Sequence, residues 1–584
     1  MDVMWLAGGA LEPPAGAALT APVWHPAGAR VRSMEAGAVR AVVAGVCRAD
    51  DAEVCRVAAE VAAGRTEVIV SMGGSYWMAV HDDRRRRTVV AGDLAERRGV
   101  FLARAELGAM WATDASVLAR QLGHGPDLEL LAAQITVGSA EHWPHRSLWS
   151  GVERVPGGFA LILDERGART VDVRPRPDGR TMEQGAEEIG AALWGAVQGY
   201  ARVAGARVSA DLSGGLDSSA VVIAAAEVSR IVAVTHGGPL ADAEDERLAR
   251  DIAAYVGAEH HVSSGGPGSA HFARWPRVTP AAPVLPVASY SLDGDYLPPA
   301  RGVSALHLTG HGGDVVLESS TAAWTALIQD GQTRRAKQAV RALARRVNTA
   351  PGPLWRAVRN GARGRDLAMQ RAAEAVAQGQ PFGDRLGVWT WCSIGPAAQW
   401  LTPYGRRTVA QMLADSGSRE GDVHAGAWDD WSALRSNGAA LRDGDALSDE
   451  HGVHQVAPFL DNEVVRACLT IGASERRQPD RYKPLLALAR PELPQWLTGR
   501  QSKGHFTPLL YEGLRAHRLE LRQVIDTSDL VSCGLIDPAA VHSALDATAA
   551  GMGRPPLPAL ESFLITSWWL ARVLAPQTAV GGAR

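Results

Sequence analysis

Cysteine is scarce in this chain. Five occur among 584 residues, at Cys47, Cys55, Cys392, Cys468 and Cys533. The number is odd and no C-x-x-C pair occurs. That excludes a disulfide framework and a paired-cysteine zinc site, and it suits the reducing cytoplasm. Charge of one sign is also lacking. The net charge is −3, so no global field draws the chain to nucleic acid or to an anionic membrane. No apolar run is long enough to span a bilayer. The start, MDVMWLAGGALEPPAGA, lacks the basic region and long apolar stretch of a signal peptide. There is no internal repeat and no low-complexity tract.

What is present is a soluble composition, 46% hydrophobic and 21% charged, on a chain too long for one core. To about Val173 the chain reads as short β runs. TEVIVSMG, WMAVHDD, RTVVAGDL, GVFLARAE and GAMWATD are divided by Gly, Asp and Arg turns, and Arg84 to Arg87 read as a hairpin turn. GGFALILDERGARTVDV reads as a hairpin turning at DERG. AEVCRVAAEVAAG and DLELLAAQITVG are amphipathic. This predicts an α+β domain over residues 1–175. RPRPDGR, Arg174 to Arg180, reads as a linker. A helix capped by Thr181 should follow. Beyond it, strand and helix alternate through RVSADL, IVAVTH, DAEDERLARDIAAYVG, EHHVS and SALHLTG. That pattern predicts an α/β domain with a parallel sheet over residues 181–584, ending in a helical extension.

The chemistry concentrates in VSADLSGGLDSSAVVIAAA, Val208 to Ala226. A strand ends at Leu212, Ser213-Gly214-Gly215-Leu216-Asp217-Ser218-Ser219 turn, and a helix opens. Glycines allow a tight turn and close approach to a ligand. The first N–H groups of the helix point at that ligand and favour an anion. An acid inside a phosphate loop would repel phosphate unless a metal ion lies between them, so Asp217 implies Mg²⁺. A Walker A loop is excluded by the missing Gly-Lys-Ser/Thr. A second strand-to-glycine turn, LHLTGHGGDVVLES (Leu306 to Ser319), carries Asp314. Ligands in parallel sheets bind beyond the carboxyl ends of the strands, so Asp217 and Asp314 could share Mg²⁺. A third piece, APFLDNEVVRACLTI, precedes RYKPLLALARPELPQWLTGRQSKGHFTP, in which Lys503 sits in a loop-like stretch.

The S-G-G-x-D-S loop resembles that of the N-type ATP pyrophosphatases. The three pieces in order resemble the synthetase domain of the asparagine synthetase family. Upstream, GDLAERRGVFLARAELGAMWATDASVLARQL and HRSLWSGVERVPGGFALIL resemble that family's N-terminal glutaminase domain, an Ntn-hydrolase sandwich. The resemblance implies adenylation of a carboxylate by ATP and its coupling to an amine. It places adenine near Leu212, Val234, Thr309 and Gly310, and gives Lys503 a charge-stabilising role. The glutaminase reaction requires an N-terminal cysteine. Here Met1 precedes Asp2, so the front domain is expected to be degenerate.

Relatives that use another amine include β-lactam synthetases and lasso peptide cyclases. The residue between the glycines of the second motif is Glu in asparagine synthetases and Tyr in β-lactam synthetases. Here it is His311, and an imidazole suits deprotonation of an ammonium. A packing or phosphate-side role for His311 stays open. The chain is most similar to the lasso peptide cyclases. That likeness implies a precursor-peptide substrate, with a leader peptidase and a leader-binding protein as partners. Of the remaining features, AEDERLARD reads as surface ion pairs and His260-His261 as structural. Asp461 reads as structural near the site and Lys483 as an ion-pair partner. Arg-rich Gln332 to Arg371 reads either as a solvated helix face or as a dock for an acidic partner.

Overall fold

The computed structural model describes residues 5–10, 16–20, 23–106, 108–383, 387–417, 423–479, 481–500, 504–553 and 556–575. The front of the chain forms two six-stranded antiparallel sheets. One runs in the order Val152–Val155, Val100–Ala105, Gly108–Ala112, Ala7–Gly9, Val23–Pro26, Ala17–Thr20. The other runs Gly167–Asp172, Phe159–Asp164, Arg87–Ala91, Gly74–Asp82, Val39–Cys47, Arg32–Ala36.

Alternation explains the stacking. Along Gly74–Asp82, Trp77 and Ala79 face the other sheet and pack with Leu6, Val100, Leu102 and Trp111. Tyr76, Met78 and Val80 face outward and pack under the helix Asp51–Ala63. Period-two side chains thus serve two cores at once. The outer face of the first sheet is covered by the helix Ala115–Leu122. This helix–sheet–sheet–helix layering is that of an Ntn-hydrolase sandwich. The DERG turn joins Phe159–Asp164 to Gly167–Asp172 in register. TEVIVSMG differs from expectation: Thr66–Val70 is a 3₁₀ helix. Its Ile69 and Val70 are buried, and the Ile69 carbonyl accepts the Tyr76 hydroxyl. The segment meets its burial without a neighbouring strand, so packing overrides β propensity.

Thr181 caps the helix Met182–Ala204 in a full capping box with Gln184. Five parallel strands follow, in the order Glu259–Val262, Arg230–Thr235, Arg207–Asp211, His307–Leu308, Gln455–Val456. Chain order runs outward in both directions from Arg207–Asp211. The sheet therefore reverses between that strand and His307–Leu308, which pair at Ser209 and Ala210. This is a topological switch point, where α/β sheets open a crevice at the carboxyl ends of their strands.

The two units share one core, in which Met78 and Val80 join Leu193, Val464 and Leu469. Their border is also polar. The Leu94 amide donates to Asn462 Oδ1 at 2.8 Å. Arg48 pairs with Asp461 at 3.1 Å and Glu463 at 2.7 Å. No described helix is long and apolar enough to cross a membrane.

Candidate active site

The strand Arg207–Asp211 is continued by the Leu212 amide, which donates to the Val234 carbonyl at 2.9 Å. The chain then turns at Gly214, whose φ is +75°. A β-carbon there would lie 2.2 Å from the Asp245 carbonyl oxygen. Glycine is required on both counts. Within the turn, Ser213 Oγ lies 3.0 Å from Ser218 Oγ and accepts the Gly215 amide at 3.3 Å. Ser219 is fully buried and its hydroxyl donates to the Gly215 carbonyl. Ser213 is exposed. The helix Leu216–Ala226 starts from Gly215 with no side-chain cap. A helix leaves the amides of its first turn without intrahelical partners, and no side chain caps them here.

The second glycine turn packs directly on this helix start. A β-carbon at Gly310 would meet the Ser218 amide nitrogen at 2.5 Å, and one at Gly313 would meet Asp217 Cγ at 2.4 Å. The two motifs, about a hundred residues apart, are therefore in backbone contact. The fold brings Asp217 and Asp314 to one cation, the ammonium of Lys483. Lys483 pairs with Asp217 and lies 2.7 Å from Asp314 Oδ1. Tyr482 donates to the same Asp314 oxygen at 3.2 Å. Lys483 sits in left-handed backbone at φ +46° and opens the helix Pro484–Ala489. Its side chain is 1% exposed, whereas Asp314 is 53% exposed. Burial pushes the Lys483 ammonium toward deprotonation. The two carboxylates outweigh burial and hold it above the usual lysine range.

Two further features brace the loop. Arg500 donates to the Gly214 carbonyl and to Asp245, and Asp245 also accepts the Gly504 amide at 3.2 Å. Behind the second motif, Arg476 is fully buried and pairs with Asp430, which accepts Ser319 at 2.8 Å. Arg477 pairs with Glu318 at 2.6 Å. Asp429, beside Ser320 and Trp389, has its carboxyl pushed up to about 6 by burial.

The other residues singled out in the sequence fall as follows. His311 is exposed at the mouth, with Nδ1 3.1 Å from Thr309 Oγ1. The side chains of Leu212, Val234 and Thr309 are buried in the packed sheet, so a base resting there would meet their main chain and Gly310. Lys503 lies outside the described residues. Asp461 is fully buried and caps Asn462–Leu469. Arg247 pairs with Asp251 at 2.8 Å and Arg250 with Glu246 at 2.5 Å, the ion pairs expected of AEDERLARD. His260 bonds to Thr235 at 2.8 Å and His261 to Glu259 at 3.0 Å. The Cys47 thiol is pushed up by burial, the reverse of an activated nucleophile.

Residues 188–571 match the sequence model of a family described as asparagine synthase. The chain belongs to the asparagine synthase family. That family is one of ATP-dependent, amide-forming ligases. No curated protein matches the chain. Among solved structures it is similar to a glutamine phosphoribosylpyrophosphate amidotransferase from B. subtilis complexed with ADP and GMP. That alignment has 11% identity, covers 41% of this chain and 65% of that one, and has a TM-score of 0.18. An allosteric regulatory enzyme of purine biosynthesis aligns at 12% identity over 41% of this chain and 62% of that one, with a TM-score of 0.14. The chain thus spans somewhat less than two thirds of either structure's length. The fold rests on the sheet topology given above, to which superpositions this loose add nothing.

The Asp217–Lys483–Asp314 arrangement tests whether the synthase site suits Mg²⁺. The donors are carboxylate oxygens, the ligands a hard dication prefers. They come from two loops that already hold a cation between them. Asp314 is open enough for water to complete a coordination shell. The donor set fits. Sequence reasoning cast Lys483 as an ion-pair partner and left it out of the site. The positive φ and the burial that give it its place are invisible in the spacing of RYKPLLALA.

Proposed function

We propose that this ligase activates the side-chain carboxylate of an internal Asp or Glu in a leader-free peptide. It would then join that carboxylate to the peptide's own N-terminal amine, as lasso peptide cyclases do. The observation that carries the reading is the residue at the mouth of the site. His311 stands exposed, 3.1 Å from Thr309 Oγ1, three residues before Asp314. An imidazole there suits an amine that arrives as an ammonium and must lose a proton.

In the first step a carboxylate oxygen would attack the α-phosphorus of ATP, and the bond to the β-phosphate would break to release pyrophosphate. Mg²⁺, held by Asp217 and Asp314, would supply charge neutralisation on the phosphates. The loop Ser213 to Ser219 would bind the anion through the amides at the start of its helix. Lys483 would exchange part of its carboxylate pairing for phosphate oxygens as they arrive, keeping the buried charge balanced. Leu212, Val234, Thr309 and Gly310 would border the adenine. In the second step the deprotonated amine would attack the acyl carbon, AMP would leave, and His311 would carry the proton away. The resemblance to the asparagine synthetase family assigns Lys503 to charge stabilisation, and the likeness to lasso peptide cyclases implies a leader peptidase and a leader-binding protein as partners. The front unit, residues 1–175, would serve as a scaffold for the synthetase unit, 181–584.

The test is ATP–pyrophosphate exchange with Mg²⁺, run against free aspartate, a small β-amino acid and a linear peptide. The peptide carries a free N-terminus and an internal acid, and its mass is followed for loss of water. Exchange and a dehydrated product with the peptide, both abolished by Asp217→Ala, are expected. Exchange with the β-amino acid or aspartate alone would sink the peptide reading and leave AMP-forming activation in place.

A further inference from the structure

The segment from Gln332 to Arg371 holds eleven basic residues and a single acid, Asp366, in a chain whose net charge is −3. The structure sorts them by face. The helix Thr333–Arg346 buries Ala336, Val340, Leu343 and Ala344. The helix Pro351–Gly361 buries Leu354 and Val358. Both pack on Trp324 and Leu327 in one small core. The opposite sides carry Arg334, Lys337, Arg341 and Arg345 on the first helix. Arg356 and Arg359 on the second lead on to Arg363. All seven are exposed. Steps of three and four residues put each set in one stripe. Lys337 lies 5.4 Å over the Trp355 ring, so the stripes adjoin.

Folding alone does not account for this face. Arg335, between the stripe and the core, pairs with Glu475 at 2.8 Å. Among the described residues, no carboxylate lies within ion-pair distance of the seven stripe residues. Like charges at these spacings repel and weaken a helix. Neither helix has an acid in its first turn to favour the dipole. Neutral polar residues would solvate the same surface without that repulsion. An anionic partner would convert the repulsion into attraction.

We infer that this two-helix face is a docking surface for an acidic segment of a partner protein. A peptide is favoured over nucleic acid on two grounds. Trp355 is half-buried beneath Lys337, so the stripes present no open aromatic platform for base stacking. The rest of the chain is net acidic, which repels a long polyanion. The inference is independent of which amide the ligase forms.

The probe is a fluorescent octaglutamate peptide titrated into the full chain at low and physiological salt. The variant is R341E/R345E/R356E. A control makes the same charge change at exposed positions elsewhere, R120E/R166E/R230E. Circular dichroism checks that each is folded. Octaglutamate should bind the wild type, weaken with salt, and lose about tenfold or more in affinity with the stripe variant. The control should bind as the wild type does, and ATP–pyrophosphate exchange should be unchanged in both. Equal loss in stripe and control variants, or no binding at physiological salt, overturns the surface. Tighter binding of a single-stranded oligouridylate of equal charge, lost in the stripe variant, overturns the protein partner in favour of nucleic acid.

Discussion

Two buried clusters of charge, one in the front sandwich and one in the parallel-sheet unit, obey the same electrostatics and end differently. At the border of the front sandwich, Glu141 holds Arg154 at 2.6 Å and Arg435 at 3.5 Å. Glu96 holds Arg154 at 3.3 Å and Arg442 at 3.4 Å. Both glutamates are 1% exposed, and charge closes on charge. In the other cluster Lys483 and Asp217 are also buried, but the third member, Asp314, faces solvent. A closed network positions two units against each other. An open one can trade a partner for a ligand. The contrast lies in how far one member opens to solvent, 15% exposed for Arg442 and 53% for Asp314.

Replacing Lys483 with methionine should break the comparison most severely. It removes the cation between two carboxylates, and ATP–pyrophosphate exchange should fall by about a thousandfold or more. Glu141→Gln strikes the closed network, takes the ion-pair partner from buried Arg435 and leaves Arg154 with Glu96 alone. Urea unfolding should show a loss of about 3–5 kcal/mol, while the fraction that stays folded exchanges normally. If it instead lost exchange with unchanged stability, the division between the closed network and the open one would fail.

Gly313→Ala sharpens the geometry of the open cluster. Its β-carbon would meet Asp217 Cγ at 2.4 Å, so the carboxylate must move, and exchange should drop by about a hundredfold with little change in stability. Asp293 offers a pH test. Burial, reinforced by the nearby Asp211 charge, pushes its carboxyl up to about 8. The unfolded chain would release that proton near pH 4. Between about pH 4 and 8 the folded state therefore holds more protons than the unfolded one, and this group's contribution to stability declines as pH rises. Asp293→Asn should flatten that part of the stability–pH curve. Thr181→Ala should have the smallest effect. It removes one capping box at a cost of about 1 kcal/mol by chemical denaturation, with exchange unaffected.

Much of this was legible in the sequence because it is local. The alternation in WMAVHDD and RTVVAGDL, the DERG turn, the Thr181 cap and the AEDERLARD ion pairs each need only a few neighbouring residues. So does the S-G-G-x-D-S turn, whose Gly214 must adopt a positive φ wherever it occurs. TEVIVSMG was misread for the converse reason. Its β propensity lost to burial of Ile69 and Val70 against elements distant in the chain.

The sequence by itself determined two strand-rich and strand–helix regions, a glycine turn opening a helix, and a pair of acids on two such turns. Only the tertiary structure decided that the turns touch, because the strand order of the parallel sheet reverses between Arg207–Asp211 and His307–Leu308. It also decided that the acids meet on Lys483. That residue is 266 positions from Asp217, and a single left-handed backbone angle sets the lysine between two carboxylates. Long-range pairing of buried charge leaves no periodicity to read, since its partners are chosen by the packing that desolvates them.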